Sequence, residues 1–128
     1  MVTVTRKTAF LDSYCWFEYF FGTKAGEAVR KIVQSDGEIM VSAINIFEIR
    51  RKYLQNAPDE EGEKISFIKT RCKVANIDFE TAALAASLSA KHKLHATDAM
   101  IYACAQANDC ILYSGDSHFR GLSGVELV

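Results

Sequence analysis

The sequence has little that would stabilise a disulfide-rich or zinc-binding domain. Its four cysteines are dispersed, none forms a CxxC pair, and none is spaced with a histidine for zinc. Reduced, mostly buried thiols are therefore expected. Because 128 residues, 49% of them hydrophobic, can bury a core without such cross-links, residues 1–128 are interpreted as a single domain.

Long apolar runs are also missing. The N-terminal stretch MVTVTRKTAF has no signal-peptide core, and no segment approaches the roughly 18 apolar residues of a membrane span. The single proline, Pro58, lies in the polar stretch QNAPDEEGE, which is interpreted as a loop between helices. A net charge of −1 neither demands nor excludes a nucleic-acid partner, because overall charge hides local basic stripes. These features predict a soluble, cytoplasmic protein that does not bind membranes.

Short apolar segments alternate with segments of helical periodicity along the chain. This alternation is typical of parallel strands covered by helices on both faces, so the pattern predicts an α/β fold, a three-layer α/β/α sandwich with a mostly parallel central sheet. The predicted strands are 7–11, 38–42, 74–77, 110–113 and 125–128, and the predicted helices are 13–21, 24–35, 43–55, 60–72, 79–92 and 97–107, with a short turn or helix at 116–119.

Four acidic residues stand at positions where such a sheet forms its crevice. Asp12 follows the first predicted strand directly, and Asp116 follows the fourth by three residues. Glu48 is embedded in the apolar stretch INIFEI, and Asp98 opens a helix that is apolar nearly all round. Because a carboxylate near a buried surface is costly unless it is paired or bound to a cation, we expect all four to converge on one pocket.

Each acid also has an ordinary structural explanation. Asp12 and Asp116 could cap the elements that follow them, and Asp98 suits the first turn of a helix. Glu48 could form a solvent-facing ion pair with Lys52, four residues on. The functional hypothesis therefore depends on all four acids together and on no single carboxylate.

A set of converging carboxylates would fit a divalent cation. The acids repel one another, a cation relieves that repulsion, and oxygen ligands without nearby cysteine or histidine favour Mg²⁺ or Mn²⁺ over zinc. Such a site can activate water and neutralise charge on a phosphodiester. The residues alone thus point to metal-dependent phosphodiester hydrolysis.

Four segments resemble, in order and spacing, the motifs of the PIN-domain family, most of all VapC-type toxin ribonucleases. They are FLDSYCW, VSAINIFEIRRKY, HATDAMIYACAQANDC and ILYSGDSHFRGLSGVELV. The resemblance implies a PIN-like α/β/α fold, Mg²⁺- or Mn²⁺-dependent RNA cleavage, a protein antitoxin that blocks the site, and frequent homodimers. It implies metal-binding and catalytic roles for Asp12, Glu48, Asp98 and Asp116, with Ser13 and Ser114 as supporting hydroxyls.

The last motif departs from the family pattern, which often has a second acid before the phenylalanine. Here Ser117 and His118 precede Phe119. The site therefore lacks a fifth carboxylate that could help to hold a second metal ion tightly. His118 could be a general base or a phosphate contact, or an incidental surface residue. Among the basic residues, Arg51 and Arg120 are the candidates for contacts with RNA.

Six aromatic residues crowd the segment Tyr14–Phe21, and one helix face cannot bury them all. Some should be exposed as a partner surface, or one ring could stack on a base; alternatively, the segment is non-helical and packs both sides.

Three other functions compete with a toxin ribonuclease on the sequence alone. An RNA-processing PIN nuclease would use the same chemistry, and a non-catalytic binding module would use only the fold. A receiver-like phosphate acceptor would need a lysine after a late strand, which Tyr113-Ser114-Gly115 does not offer.

Overall fold

A computed structural model describes residues 7–128, in which five strands form one sheet covered by six α-helices. Residues 1–6, part of the stretch interpreted above as lacking a signal peptide, lie outside the described residues. The strands are β1 (Ala9–Leu11), β2 (Ile39–Ser42), β3 (Lys73–Ala75), β4 (Ile111–Ser114) and β5 (Val125–Leu127). The helices are α1 (Ser13–Phe21), α2 (Lys24–Val33), α3 (Ala43–Asn56), α4 (Pro58–Arg71), α5 (Phe79–His92) and α6 (Ala96–Ala107), with a 3₁₀ helix at Ser117–Phe119.

The sheet is parallel throughout, with strand order β3-β2-β1-β4-β5. Phe10 on β1 stands opposite Met40 on β2 and Leu112 on β4. The predicted three-layer α/β fold is confirmed. Because the strand order reverses around β1, the carboxyl ends of β1 and its neighbours open a crevice in which open α/β sheets bind ligands.

Two hydrophobic cores lie on opposite faces of the sheet, and β1 contributes to both. Phe10 packs with residues of α5 and α6, whereas Leu11 packs with residues of α1 to α4, and both side chains are fully buried. This alternation follows from the two-residue period of a strand. Strand β1 is therefore fixed from both faces directly before Asp12.

The loop predicted around Pro58 is wrong. Helix α3 continues to Asn56 and α4 begins at Pro58, so that only Ala57 separates them. Proline suits the first helical position, where its missing N–H is not needed, and the acidic Asp59 and Glu60 that follow favour a helix N-terminus. The polar composition thus marked a helix start.

The other predicted elements are present, with ends that shift by up to two residues. The aromatic segment 13–21 is helical, so the non-helical alternative is wrong. Cys15, Cys104 and Cys110 are buried, Cys72 is half-buried, and all four are free thiols. Within the described part of the chain, no helix is both long and apolar enough to cross a membrane.

Candidate metal centre

One cavity of about 260 Å³ brings the four acidic residues together at the carboxyl ends of β1 and β4. Two acids follow these strands and two project from helices α3 and α6. The residues that line this cavity, called here the acidic cavity, are Asp12, Ser13, Tyr14, Glu48, Asp98, Ile101, Gly115 and Asp116.

Asp12 serves both the fold and the cavity. It is the N-cap of α1, where its Oδ1 accepts a hydrogen bond from the Cys15 backbone N–H at 3.0 Å, and only 7% of the residue is exposed. Burial raises the pKa of Asp12 above its ordinary 3.8, hydrogen bonds from Ser114 and Cys15 oppose the rise, and the charge of Asp98 adds to it. The capping role proposed as an alternative is thus present and compatible with a place in the site.

Glu48 points to Ser13. Ser13 Oγ donates to Glu48 Oε1 at 2.7 Å and accepts from Asn45 Nδ2 at 3.0 Å. Asn45 is fully buried and is held by a reciprocal capping box with Ser42 at the start of α3. Lys52 Nζ instead lies 4.3 Å from the centre of the Phe17 ring. The solvent-facing Glu48–Lys52 pair offered as the ordinary explanation is therefore absent among the ion pairs of residues 7–128.

Asp98 lies in the first turn of α6, half-buried beside the buried Ala99 and Ile101. Burial is the largest cause that raises the pKa of Asp98, and the charge of Asp116 comes next. The charge of Glu48 adds to the rise, whereas His95 and His118 lower the pKa. The four acids therefore act on one another electrostatically, as converging carboxylates should.

Asp116 is fixed by the turn that it begins. It is the N-cap of the 3₁₀ helix, and its Oδ1 accepts from the His118 backbone N–H at 2.9 Å and faces His118 Nδ1 at 2.8 Å. Its own N–H donates to the buried Ser114 Oγ at 3.1 Å. The His118 ring, largely exposed, meets the His95 ring edge-on at 5.8 Å.

The donor set of the acidic cavity fits a hard divalent cation. Four carboxylates and the Ser13 hydroxyl supply only oxygen ligands, the type that Mg²⁺ and Mn²⁺ prefer. Within residues 7–128, no three His, Cys, Asp or Glu side chains stand close enough together to hold an ion without moving. Burial is the main cause that raises the pKa of Asp12 and of Asp98, and the charges of neighbouring carboxylates add to it.

Two predicted residues lie elsewhere. Arg51 stands 5.2 Å from the Phe47 ring centre on the outer side of α3, and Arg120 is an exposed residue at the end of the 3₁₀ helix; neither lines the acidic cavity. Sequence reasoning missed Asn45 and did not single out Tyr14. Asn45 had a signal, since it stands three residues before Glu48, on the same helix face, and three after the cap Ser42.

Comparison with protein families matches residues 9–125 to the PIN domain. Among solved structures, a toxin–antitoxin complex from Klebsiella pneumoniae is similar, with a TM-score of 0.79, 21% identity, and coverage of 93% of this chain and 96% of that one. VapC20 from Mycobacterium tuberculosis, a toxin that cleaves the sarcin-ricin loop, has a TM-score of 0.73 and 14% identity, with coverage of 91% of this chain and 95% of that one. DNA-bound VapBC from Salmonella typhimurium has a TM-score of 0.73 and 16% identity, with coverage of 96% of this chain and 98% of that one. A comparison with curated proteins finds no match.

Proposed function

The chain belongs to the PIN domain family, and from that premise we propose that it is a metal-dependent endoribonuclease, the toxin of a toxin–antitoxin pair. The observation that carries the proposal is the meeting of Asp12, Glu48, Asp98 and Asp116 in one cavity at the strand ends. A binding module that used only the fold would have no need to keep four repelling carboxylates together. RNA as substrate is supported by the likeness to a toxin that cleaves the sarcin-ricin loop.

The same four carboxylates would hold Mg²⁺ or Mn²⁺. When bound, such a cation supplies a lowered pKa for coordinated water and neutralises charge that develops on a phosphodiester. Hydrogen bonds orient three of the four carboxylates: the Cys15 N–H donates to Asp12, the Ser13 hydroxyl to Glu48, and the His118 N–H to Asp116. Ligands held in this way are preorganised, which is what such a site requires.

Ser13, which lines the cavity, and the buried Ser114 support this arrangement through hydrogen bonds. The Ser13 hydroxyl accepts a hydrogen bond from the buried Asn45 and donates one to Glu48, and the Ser114 hydroxyl accepts one from the Asp116 N–H. Arg51 and Arg120 lie outside the cavity lining, so their proposed contacts would be with phosphates that flank the cleaved bond.

The proposed test is cleavage of a 5′-labelled RNA oligonucleotide by the purified chain. We expect cleavage with Mg²⁺ or Mn²⁺, complete loss in excess EDTA, and recovery when metal is restored. An Asp98→Asn preparation purified in parallel is the control for contaminating nucleases. Equal cleavage in EDTA, or equal cleavage by the Asp98→Asn preparation, would contradict the proposal.

A second groove suits the proposed antitoxin. Aromatic residues of α1 and residues of α3 and α4 surround an apolar cavity of about 150 Å³, lined by Phe17, Phe20, Phe21, Lys52, Tyr53, Asn56, Ala57 and Glu60. Phe21 remains 57% exposed, and exposed apolar patches of this kind mark protein interfaces. The groove therefore supports a protein partner, here a segment of the antitoxin. We also propose a cytoplasmic location and a homodimer for the toxin.

The partner can be tested by co-expression with any small reading frame that adjoins the gene. We expect its product to copurify with the tagged chain, and Phe21→Glu to lower the recovered product at least tenfold. The matched control is Phe79→Glu, which changes the 82% exposed Phe79 at the start of α5. Equal loss of the product in both variants would contradict the assignment of the groove, and absence of any such partner would favour an RNA-processing role.

The proposed homodimer is tested by light scattering, which should give twice the 14.3 kDa mass of the chain.

A further inference from the structure

Tyr14 is set apart from the other aromatic residues of α1. Trp16 is fully buried in the core, and Phe17, Phe20 and Phe21 line the apolar cavity between α1, α3 and α4. Tyr14 instead lines the acidic cavity, and 38% of the residue is exposed. One ring of the helix is thus placed beside the four carboxylates.

Gly115 provides the seat for this ring. A Cβ atom at position 115 would lie 2.1 Å from Tyr14 Cε1 and 2.4 Å from both Cδ1 and Cζ, far inside contact distance. Gly115 is not among the glycines with positive φ, so its backbone conformation does not demand glycine. The reason for glycine here is the close approach of the Tyr14 ring, which lies directly on the main chain after β4.

From this pair we infer that Tyr14 is a specificity residue that stacks on an unpaired nucleobase next to the cleaved phosphodiester. The inference rests on the proposed ribonuclease function and names its substrate class, a single-stranded or looped-out nucleotide. A phosphodiester among the carboxylates would bring its neighbouring base within reach of the cavity wall, where the partly exposed Tyr14 ring offers apolar surface. Bases outside a duplex stack on such rings, whereas bases inside a duplex are already stacked and cannot.

The decisive experiment compares an intact single-stranded RNA with RNAs that carry one abasic nucleotide on either side of the cleaved bond. For the wild type, we expect one abasic position to lower kcat/KM about tenfold, mainly through KM, which is the size of effect that stacking on one ring supplies. Tyr14→Ala should lower kcat/KM on intact RNA by a similar factor and should be insensitive to that abasic position. Tyr14→Phe should behave as the wild type, and the same sequence in a duplex should be cleaved poorly.

Gly115→Ala gives an independent test of the seat. Its added methyl group should displace the ring and reproduce the loss caused by Tyr14→Ala, but it should cost little further when Tyr14→Ala is already present. Thermal melts of each variant should show that the fold is kept. Additive losses, or an abasic effect that persists in Tyr14→Ala, would overturn the inference.

The inference can fail separately from the proposed function. Binding of the same labelled RNAs to the wild type in EDTA, followed by fluorescence anisotropy, should be weakened several-fold by the abasic position and by Tyr14→Ala even if no cleavage occurs. A wild type that cleaves RNA with no dependence on Tyr14 would overturn only the stacking role. Loss of antitoxin capture by Tyr14→Ala, with cleavage unchanged, would assign the ring to the protein partner instead and would also overturn it.

Discussion

Asp12→Asn is expected to lower the rate of metal-dependent RNA cleavage by about 10³-fold while the chain stays folded. Removal of the charge of one proposed metal ligand would forfeit several kcal/mol of transition-state stabilisation, and about 1.4 kcal/mol corresponds to a factor of ten. The asparagine side chain can still accept the Cys15 N–H and cap α1, since asparagine and aspartate are comparable N-caps. Asp98→Asn should have a loss of similar size. Initial rates on labelled RNA at saturating Mn²⁺ measure both effects.

The matched control for this experiment is Asp78→Asn. Asp78 caps α5 in the same manner, through a hydrogen bond from the Thr81 N–H at 2.8 Å, but it is exposed and does not line the acidic cavity. It should cleave at the wild-type rate. If Asp78→Asn lost as much activity as Asp12→Asn, the effect would reflect helix capping and not the site.

Stability should change in the opposite direction to activity. Because burial raises the pKa of Asp12, the folded chain binds a proton there more tightly than the unfolded chain. The free energy of unfolding therefore falls as pH rises from the ordinary pKa of 3.8 through the folded-state value. Without metal at neutral pH, Asp12→Asn should melt a few degrees higher than the wild type, and this difference should vanish below about pH 3.

The control residue Asp78 should affect the pH dependence of stability in the opposite direction to Asp12. The hydrogen bond to Thr81 lowers the pKa of Asp78, so its stabilisation is present above the ordinary pKa and is lost as pH falls. Asp78→Asn should therefore melt no higher than the wild type at neutral pH. Added Mn²⁺ should raise the Tm of the wild type and much less that of Asp12→Asn, since binding stabilises only a competent folded site. An Asp12→Asn chain that melts below the wild type without metal would contradict this account.

The sequence was sufficient for the fold and for the position of the acids because both follow from local patterns. Apolar runs of strand length identified the parallel sheet, and the ends of those runs were enough to place Asp12 and Asp116 at the edge of the sheet. Glu48 stood out because a solvent-facing acid has no need of the apolar stretch around it. These inferences depend on neighbours within a few positions along the chain.

What the sequence could not predict depends on contacts between distant segments. The hydrogen bond from Ser13 to Glu48 joins residues 35 positions apart. It exists because the faces of α1 and α3 that carry these two residues lie against each other. The partner of Lys52 turned out to be Phe17, again on α1. The contact between the Tyr14 ring and Gly115 joins residues near opposite ends of the chain. Helix rotation and packing decide all three, and no local pattern carries that information.

The largest expected loss of stability concerns the contact between α1 and α2. At Gly26, in the first turn of α2, a Cβ atom would lie 2.2 Å from the Glu18 carbonyl oxygen, 2.7 Å from its carbon and 3.1 Å from the Tyr19 nitrogen. All three are backbone atoms, which cannot rotate away as a side chain can. The short connection through Gly22, at φ +68°, and the cap Thr23 allows little adjustment.

Gly26→Ala should therefore lower the free energy of unfolding by about 3 kcal/mol, the upper part of the range for overpacked sites. Gly62→Ala is the matched control, because Gly62 lies exposed within α4 with nothing within 4 Å of a built Cβ. There, alanine should raise the free energy of unfolding by about 0.5–1 kcal/mol through helix propensity. Urea unfolding followed by circular dichroism measures both, and a Gly26→Ala chain as stable as Gly62→Ala would show that α1 and α2 do not pack this closely.

The same substitution should also reach the acidic cavity. Helix α1 begins at Ser13 and carries Tyr14, so a shift of α1 away from α2 would disturb the bond from Ser13 to Glu48 and the seat on Gly115. At a temperature where Gly26→Ala is still folded, its cleavage rate should fall, whereas Gly62→Ala should cleave as the wild type. The contact between α1 and α2 at Gly26 would then be a condition for the geometry of the acidic cavity, because the first residues of α1 line that cavity.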